Sequence, residues 1–179
     1  MNLDTAVFGG GCFWCLEAVF KIIKGVKKVE SGYAGGVTED PQYKSVCEGS
    51  TGHTEVVRLK YNPNKVTYKL LLEIFFAAHD PTILNRQGND IGIQYRSIIL
   101  YTTPEQEKLA MDYINELKYE KVYSDSIATE VGPLEKFYKG EDCHQDYFTN
   151  NKRTSYCQTI VSPKVEKIKT KFATLLKFG

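Results

Sequence analysis

The chain has 179 residues, enough for one domain with a full core. Its composition, 42% hydrophobic and 25% charged, is that of an ordinary globular protein. Basic residues number 23 and acidic residues 22, so a formal charge of +1 gives no electrostatic case for nucleic acid or an anionic membrane as partner. The start, Met1-Asn2-Leu3-Asp4, has neither the basic opening nor the apolar run of a signal peptide. The longest apolar stretch, residues 70–78, is interrupted by Glu73 and too short to span a bilayer. The cysteines, at 12, 15, 47, 143 and 157, are odd in number. This argues against a disulfide framework and for thiols used in chemistry in the cytoplasm.

In chain order, residues 5–9 read as a short strand. Residues 12–24 read as a helix with Phe13, Leu16, Phe20 and Ile23 on one face, stopped by Gly25. Residues 26–33 form a second strand. The segment 35–52, with four glycines and a proline, reads as a long functional loop. Residues 53–61 alternate: Glu55, Val57, Leu59 and Tyr61 share one face, Thr54, Val56, Arg58 and Lys60 the other. Asn62-Pro63-Asn64 makes a turn, and residues 67–78 a helix with Leu71, Ile74, Phe75 and Ala78 inward. A polar loop at 80–92 leads to a strand at 94–101, and Pro104 begins a helix that runs to 119. Residues 127–131 form a weaker strand, and helical patterns follow at 142–148 and 164–176. The last presents Val165, Ile168, Phe172 and Leu175 on one face and is expected to pack on the domain, not on a membrane.

The leading order is β-α-β-β-α-β. It predicts an α+β fold: a ferredoxin-like split β-α-β sandwich with a mixed sheet, extra helices and an irregular C-terminal wrap. The expectation is a single catalytic domain over 1–179, with about 140–179 wrapping on the core.

The chemistry centres on Cys12-Phe13-Trp14-Cys15, entered through Gly9-Gly10-Gly11. A thiol at a helix start feels the positive end of the dipole, which lowers its pKa. Cys12 falls off the apolar stripe of that helix. Three readings compete for the pair. One is a zinc half-site completed by Cys143 and His144, whose adjacency lacks knuckle spacing. Another is a thioredoxin-like redox pair, although glycines and not an aromatic precede the first cysteine. The third is a dedicated nucleophile, Cys12, with Cys15 as an accessory thiol.

Glu55 lies on the apolar face of its strand. Either burial raises its pKa and makes it an acid, or it sits solvated at the sheet edge near Gly52. His53 reads as a structural histidine capping the loop. Asn85, Arg86, Gln87, Asn89, Asp90, Gln94 and Arg96 are dense enough to build a rigid, purposeful loop. Tyr43, in the glycine-rich loop, and Tyr95, at a strand start, are possible phenolic donors. Among 12 tyrosines, either one alone reads as packing.

Several blocks together resemble one family. They are Gly11-Cys12-Phe13-Trp14, Gly32-Tyr33-Ala34-Gly35-Gly36, Gly52-His53-Thr54-Glu55-Val56, His79-Asp80-Pro81-Thr82, Asn85-Arg86-Gln87-Gly88-Asn89-Asp90-Ile91-Gly92 with Gln94-Tyr95-Arg96-Ser97, and Glu141-Asp142 with His144-Gln145. Their order, over about residues 6–160, is similar to that of the A-type peptide methionine sulfoxide reductases. The resemblance implies Cys12 as nucleophile and Glu55 as the acid that protonates the sulfoxide oxygen. It implies Tyr43 and Tyr95 as the phenols that hold that oxygen, and Phe13 and Trp14 as walls for the S-methyl group. Asp90, His144 and Tyr147 match groups near the substrate backbone and in the polar network behind the site. The implied activity is reduction of the S epimer of methionine sulfoxide, free or in proteins, through a Cys12 sulfenic acid and a disulfide recycled by thioredoxin. No metal or cofactor is expected, and a monomer is. A general CxxC thiol-disulfide oxidoreductase is the alternative.

The chain departs from the family at a few positions. Many relatives have glycine at Cys15 and tyrosine at Cys143. Cys157 matches the recycling cysteine, but a basic amphipathic helix follows it instead of a glycine-rich tail, and a packed helix there would limit its reach. Three routes for clearing the sulfenic acid stay open: Cys157, Cys15, or direct attack by the reductant. The positional match favours Cys157. Cys47 falls where the family commonly carries a buried, inert thiol and is read as structural.

Overall fold

A computed structural model describes residues 2–178. The elements are β1 (Asp4–Gly9), α1 (Phe13–Lys21), β2 (Val26–Ala34), α2 (Tyr43–Cys47), β3 (Thr54–Tyr61) and α3 (Tyr68–Ala78). There follow β4 (Arg86–Gln87), β5 (Asp90–Ile91), β6 (Ile98–Tyr101), α4 (Pro104–Tyr119), β7 (Glu130–Pro133), β8 (Tyr138–Lys139), α5 (Tyr147–Asn150) and α6 (Ser162–Lys171). Hydroxyl caps start the long helices: Thr67 accepts from the Leu70 N–H and Thr103 from the Gln106 N–H, with Pro104 in the first turn of α4.

The large sheet runs β7-β6-β1-β3-β2-β8. Its central strands β6, β1, β3 and β2 run antiparallel to one another in turn, the order that the split β-α-β unit produces. β7 pairs parallel with β6 and makes the sheet mixed. The expected α+β, ferredoxin-like class is the one observed.

Alternation on β1 and β3 builds two cores. Phe8, Val57, Leu59 and Tyr61 face α1 and α3, meeting Leu16, Phe20, Leu71, Ile74 and Phe75. The Phe8 ring stacks against Phe20 at 5.6 Å and Phe75 at 4.9 Å. Each such side chain, taken fully out of water, contributes about 1.5–3 kcal/mol. On the opposite face Val7, Ala34, Val56, Ile98 and Leu100 pack under Leu134 and Phe137. The Arg58 guanidinium lies over the Phe137 ring at 4.2 Å.

The chain returns late to close the site end of the sheet. β8 pairs with β2. The Gln145 amide donates to the Ser31 carbonyl at 2.9 Å and accepts from its N–H at 3.0 Å. Buried Glu17 on α1 accepts from the Ser31 hydroxyl and from the Asp146 N–H. Among the described residues, no helix is long and apolar enough to cross a membrane.

Several boundaries differ from expectation. α1 ends at Lys21, and Ile23 instead bridges Leu176. The 35–52 segment contains α2, whose start is closed by a reciprocal bond between Gln42 and Ser45. The strand expected from 94 begins at Ile98, because Ile93–Tyr95 form a 3-10 turn. The strand expected at 127–131 lies at Glu130–Pro133. The helix expected at 142–148 is a 3-10 turn, Asp142–His144, and α5, separated by Asp146 at φ 54°. The last helix splits into α6 and a 3-10 turn, with Val165 and Ile168 buried and Phe172 and Leu175 half-buried.

Candidate active site

The glycine run sets the nucleophile's position. A side chain at Gly10 would meet the His79 ring at 2.7 Å, and Gly11 sits at φ +78°. The Gly11 N–H donates to the Tyr95 carbonyl at 3.0 Å, which ties the helix start to the Ile93–Tyr95 turn. Cys12 follows in extended conformation as the N-cap of α1.

Cys12 is only 7% exposed, so it lies in the core and not off the buried stripe. Its thiol pKa is not lowered. Burial pushes it well above the ordinary value, and the Glu55 carboxylate and Cys15 push the same way. The Trp14 N–H in the first helical turn and the Tyr156 hydroxyl favour the thiolate, but more weakly. The magnitudes decide this: a helix terminus contributes about 0.3–1 kcal/mol, while full burial moves a pKa by up to ~3–5 units at about 1.4 kcal/mol each.

Glu55 sits on β3, third of six strands from one sheet edge, and is 1% exposed. The solvated-edge reading is set aside. Neither carboxylate oxygen has a hydrogen-bond partner. Burial is the chief cause of a pKa well above the carboxylate range. The nearby Phe13 N–H opposes it without forming a good hydrogen bond, and Asp90 adds to it. Burial therefore favours the protonated carboxylic acid over the carboxylate.

The other expected residues surround this pair. Tyr43 and Tyr95 are half-buried, and burial is the chief cause that keeps both phenols protonated. Tyr43 stands on α2 and Tyr95 on a 3-10 turn, not in the loop and strand the sequence suggested. Trp14 donates its indole N–H to His144 Nδ1 at 3.1 Å and stacks flat on Tyr147 at 3.6 Å. Phe13 lies 5.3 Å from the His144 ring. Burial lowers the His144 pKa, in keeping with a neutral ring whose Nδ1 accepts. Asp90 accepts the Tyr156 hydroxyl at 2.7 Å.

Supporting groups behave as the sequence suggested. His53 accepts the Gly36 N–H at Nδ1 and pairs through Nε2 with the Thr38 carbonyl, closing the loop. Arg96 donates to the Ile93 and Gly52 carbonyls, and Gln87 bonds both the N–H and the carbonyl of Asp80. The polar 80–96 segment is therefore internally braced.

The thiols separate clearly. Cys15 is buried and its pKa is pushed up to about 11, chiefly by burial. Cys157 is buried and Cys143 is exposed. Cys47 is exposed, not buried as expected, and lies beside the Tyr43 hydroxyl. Among the described residues no group of three or more His, Cys, Asp or Glu side chains is gathered to hold a metal.

Sequence reading missed two residues. The Glu141 carboxylate accepts the Tyr33 hydroxyl at 2.8 Å and the Tyr43 N–H at 3.0 Å. Its acidic character inside a motif block was the available signal. Tyr156 bonds Asp90, stands edge-on to Trp14 and lies near Cys12 and Cys15, and nothing in its local pattern announces this.

A thiol set against a neutral carboxylic acid at one end of a ferredoxin-like sheet is the arrangement of a thiol-dependent reductase. Residues 4–176 match the family model described as peptide methionine sulfoxide reductase. The chain is 57% identical over 165 residues to the peptide methionine sulfoxide reductase MsrA of Nautilia profundicola, covering 92% of this chain and 94% of that one. Reduced Mxr1 from Saccharomyces cerevisiae superposes with a TM-score of 0.81 at 32% identity, over 87% of this chain and 90% of that chain. Mxr1 in complex with Trx2 shares the fold, with a TM-score of 0.58 at 24% identity, over 82% of this chain and 85% of that chain. The chain belongs to the peptide methionine sulfoxide reductase family. That membership sets aside the general CxxC oxidoreductase.

Proposed function

We propose that this enzyme reduces the S epimer of methionine sulfoxide, with Cys12 as nucleophile and Glu55 as acid. The observation that carries the reading is Glu55: a buried carboxyl with both oxygens unpartnered, next to a thiol. An unsatisfied buried polar group costs about 1–3 kcal/mol. A sulfoxide oxygen arriving between Tyr43, Tyr95 and Glu55 would supply the missing partner.

The chemistry follows. The sulfoxide sulfur is electrophilic, but its oxygen leaves poorly unless protonated. The Cys12 thiolate attacks, and Glu55 gives its proton to the oxygen while the two phenols hold it. Phe13 and Trp14 form the wall for the S-methyl group, with Trp14 held flat by Tyr147 and oriented by His144. The substrate sulfur gains two electrons and leaves as methionine. The attack joins the two sulfurs; the protonated oxygen then passes as hydroxyl from the substrate sulfur to the Cys12 sulfur as the sulfur–sulfur bond breaks, and Cys12, two electrons poorer, is left as sulfenic acid. The proton lost when Cys12 ionised re-protonates Glu55.

Cys157 then attacks the sulfenic sulfur: an S–S bond forms, the S–O bond breaks, and water leaves. Cys157 is chosen over Cys15 because it matches the position of the family's recycling cysteine. A dithiol of the thioredoxin kind reopens the disulfide, as the existence of an Mxr1–Trx2 complex suggests for this family. We read the chain as a monomer working in the cytoplasm to repair oxidised methionine.

The test is one turnover on a blocked methionine sulfoxide of each epimer, without reductant, followed by peptide mapping. One equivalent of methionine from the S epimer and a Cys12–Cys157 disulfide are expected. Turnover of the R epimer, or a Cys12–Cys15 bond, refutes the corresponding part.

A further inference from the structure

Tyr156, outside the expected set, stands between two parts of the site. Its ring stands edge-on to Trp14 at 5.6 Å, and its hydroxyl donates to Asp90 Oδ2 at 2.7 Å. The same hydroxyl lies close enough to Cys12 and Cys15 to influence both thiols. Tyr156 therefore stands beside both the Trp14 wall and the Cys12 thiol. The next residue is Cys157, 0% exposed.

Two features around this contact permit movement. Cys157–Val161 is a single π turn between Tyr156 and α6, a form concentrated at functional sites and easily reset to an α-helix. Tyr156 and Asp90 also line a cavity of about 860 Å3, together with Ser155, Thr159 and Lys164. A ring leaving Asp90 has room there.

We propose that Tyr156 is a latch that couples substrate arrival to delivery of Cys157. In the resting enzyme the Tyr156–Asp90 bond holds residues 155–161 closed over Cys12 and keeps Cys157 out of reach of solvent. A substrate entering along Trp14 displaces the ring from Asp90, and the π turn yields. Cys157 is then mobile when the Cys12 sulfenic acid forms. The order protects the cycle: an external thiol or oxidant meets a covered Cys157 until a sulfoxide is bound. The latch rests on Cys157 being the partner of Cys12, as argued above.

The test measures maleimide labelling of Cys157, resolved from the other thiols by peptide mass spectrometry. In Cys12→Ser, which cannot turn over, a saturating blocked methionine S-sulfoxide should speed Cys157 labelling about tenfold or more. Tyr156→Phe keeps the ring but removes the bond to a charged partner. It should label about ten- to a hundredfold faster without substrate, and substrate should add little. Asp90→Asn weakens the same bond from its other end and should also label faster, which guards against a Tyr156 variant that fails to fold. Labelling that ignores substrate in Cys12→Ser, or that stays slow in both latch variants, overturns the latch. A mapped Cys12–Cys15 disulfide in wild type overturns the choice of resolver instead, and the two failures are read in separate experiments.

Discussion

The Glu141 carboxylate bonds the backbone N–H of Tyr43 at 3.0 Å, fixing the first residue of α2 to the returning C-terminal chain. The other oxygen of Glu141 takes the Tyr33 hydroxyl at 2.8 Å. A five-residue helix has little stability of its own, so its phenol is held in place by this bridge. Glu141→Ala should cost about 1–3 kcal/mol of stability, because two donors lose a charged acceptor. It should also cut kcat/KM by about tenfold or more as Tyr43 loses its register. Chemical denaturation and steady-state kinetics check the two halves. Normal kinetics in a destabilised variant would show that Tyr43 does not need the bridge.

Glu55 should trade stability for chemistry. Its folded-state pKa is raised well above the ordinary 4.5. Its contribution is therefore fully present below about pH 4.5 and is lost as pH rises toward the folded value, because only the unfolded chain ionises freely. Glu55→Gln removes this penalty. Its Tm should match wild type near pH 4 and exceed it at pH 7–8, while single-turnover methionine formation falls by about 10²–10⁴-fold. A Tm below wild type at pH 8 would contradict the neutral-acid reading.

His79 works in the opposite direction. Burial lowers its pKa from 6.5 to about 4, against the opposing influence of the Phe75 carbonyl. The neutral ring is satisfied at both nitrogens, by the Phe75 carbonyl at 2.6 Å and the Ser97 hydroxyl at 2.7 Å. Its stabilisation is full above pH 6.5 and is lost as pH falls toward 4, by on the order of 3 kcal/mol. In the Glu55→Gln background, where the acid no longer titrates, unfolding free energy should drop across this window. The His79 resonances should stay unshifted until about pH 4. An imidazole titrating near 6.5 would refute it.

Gly10→Ala should be costly although no loop geometry forbids it. The new methyl carbon would lie 2.7 Å from the His79 ring, which is itself pinned by two hydrogen bonds. A loss of about 1–3 kcal/mol is expected, with Cys12 moved off its alignment and activity lowered. Thermal unfolding and kcat/KM report the two effects.

Long periodic elements could be read from sequence alone. The alternation across β3, the apolar stripe of α3 and the proline-led α4 each carry their own signal over eight or more residues. Short elements could not: α2, the Ile93–Tyr95 turn and the π turn depend on caps and on distant contacts. The motif residues were identifiable, but their ionisation was not. Whether Glu55 is solvated depends on where β3 sits in the sheet, and the Cys12 thiol responds to Tyr156 and Glu55, far away in sequence. A helix-start argument sees only the local dipole, which burial outweighs here.

The walls around Cys12 come from opposite ends of the chain. Trp14 meets His144 and Tyr147, Glu17 meets Asp146, and Tyr156 meets Asp90. During synthesis the sheet strands of the β-α-β-β-α-β unit emerge first, so a nascent chain can fold its scaffold while Cys12 still lacks its cover. The site is completed only when the last forty or so residues leave the ribosome. A chain stalled or cleaved near residue 140 would then lack His144, Tyr147 and Tyr156 around Trp14 and leave the Cys12 thiol unguarded.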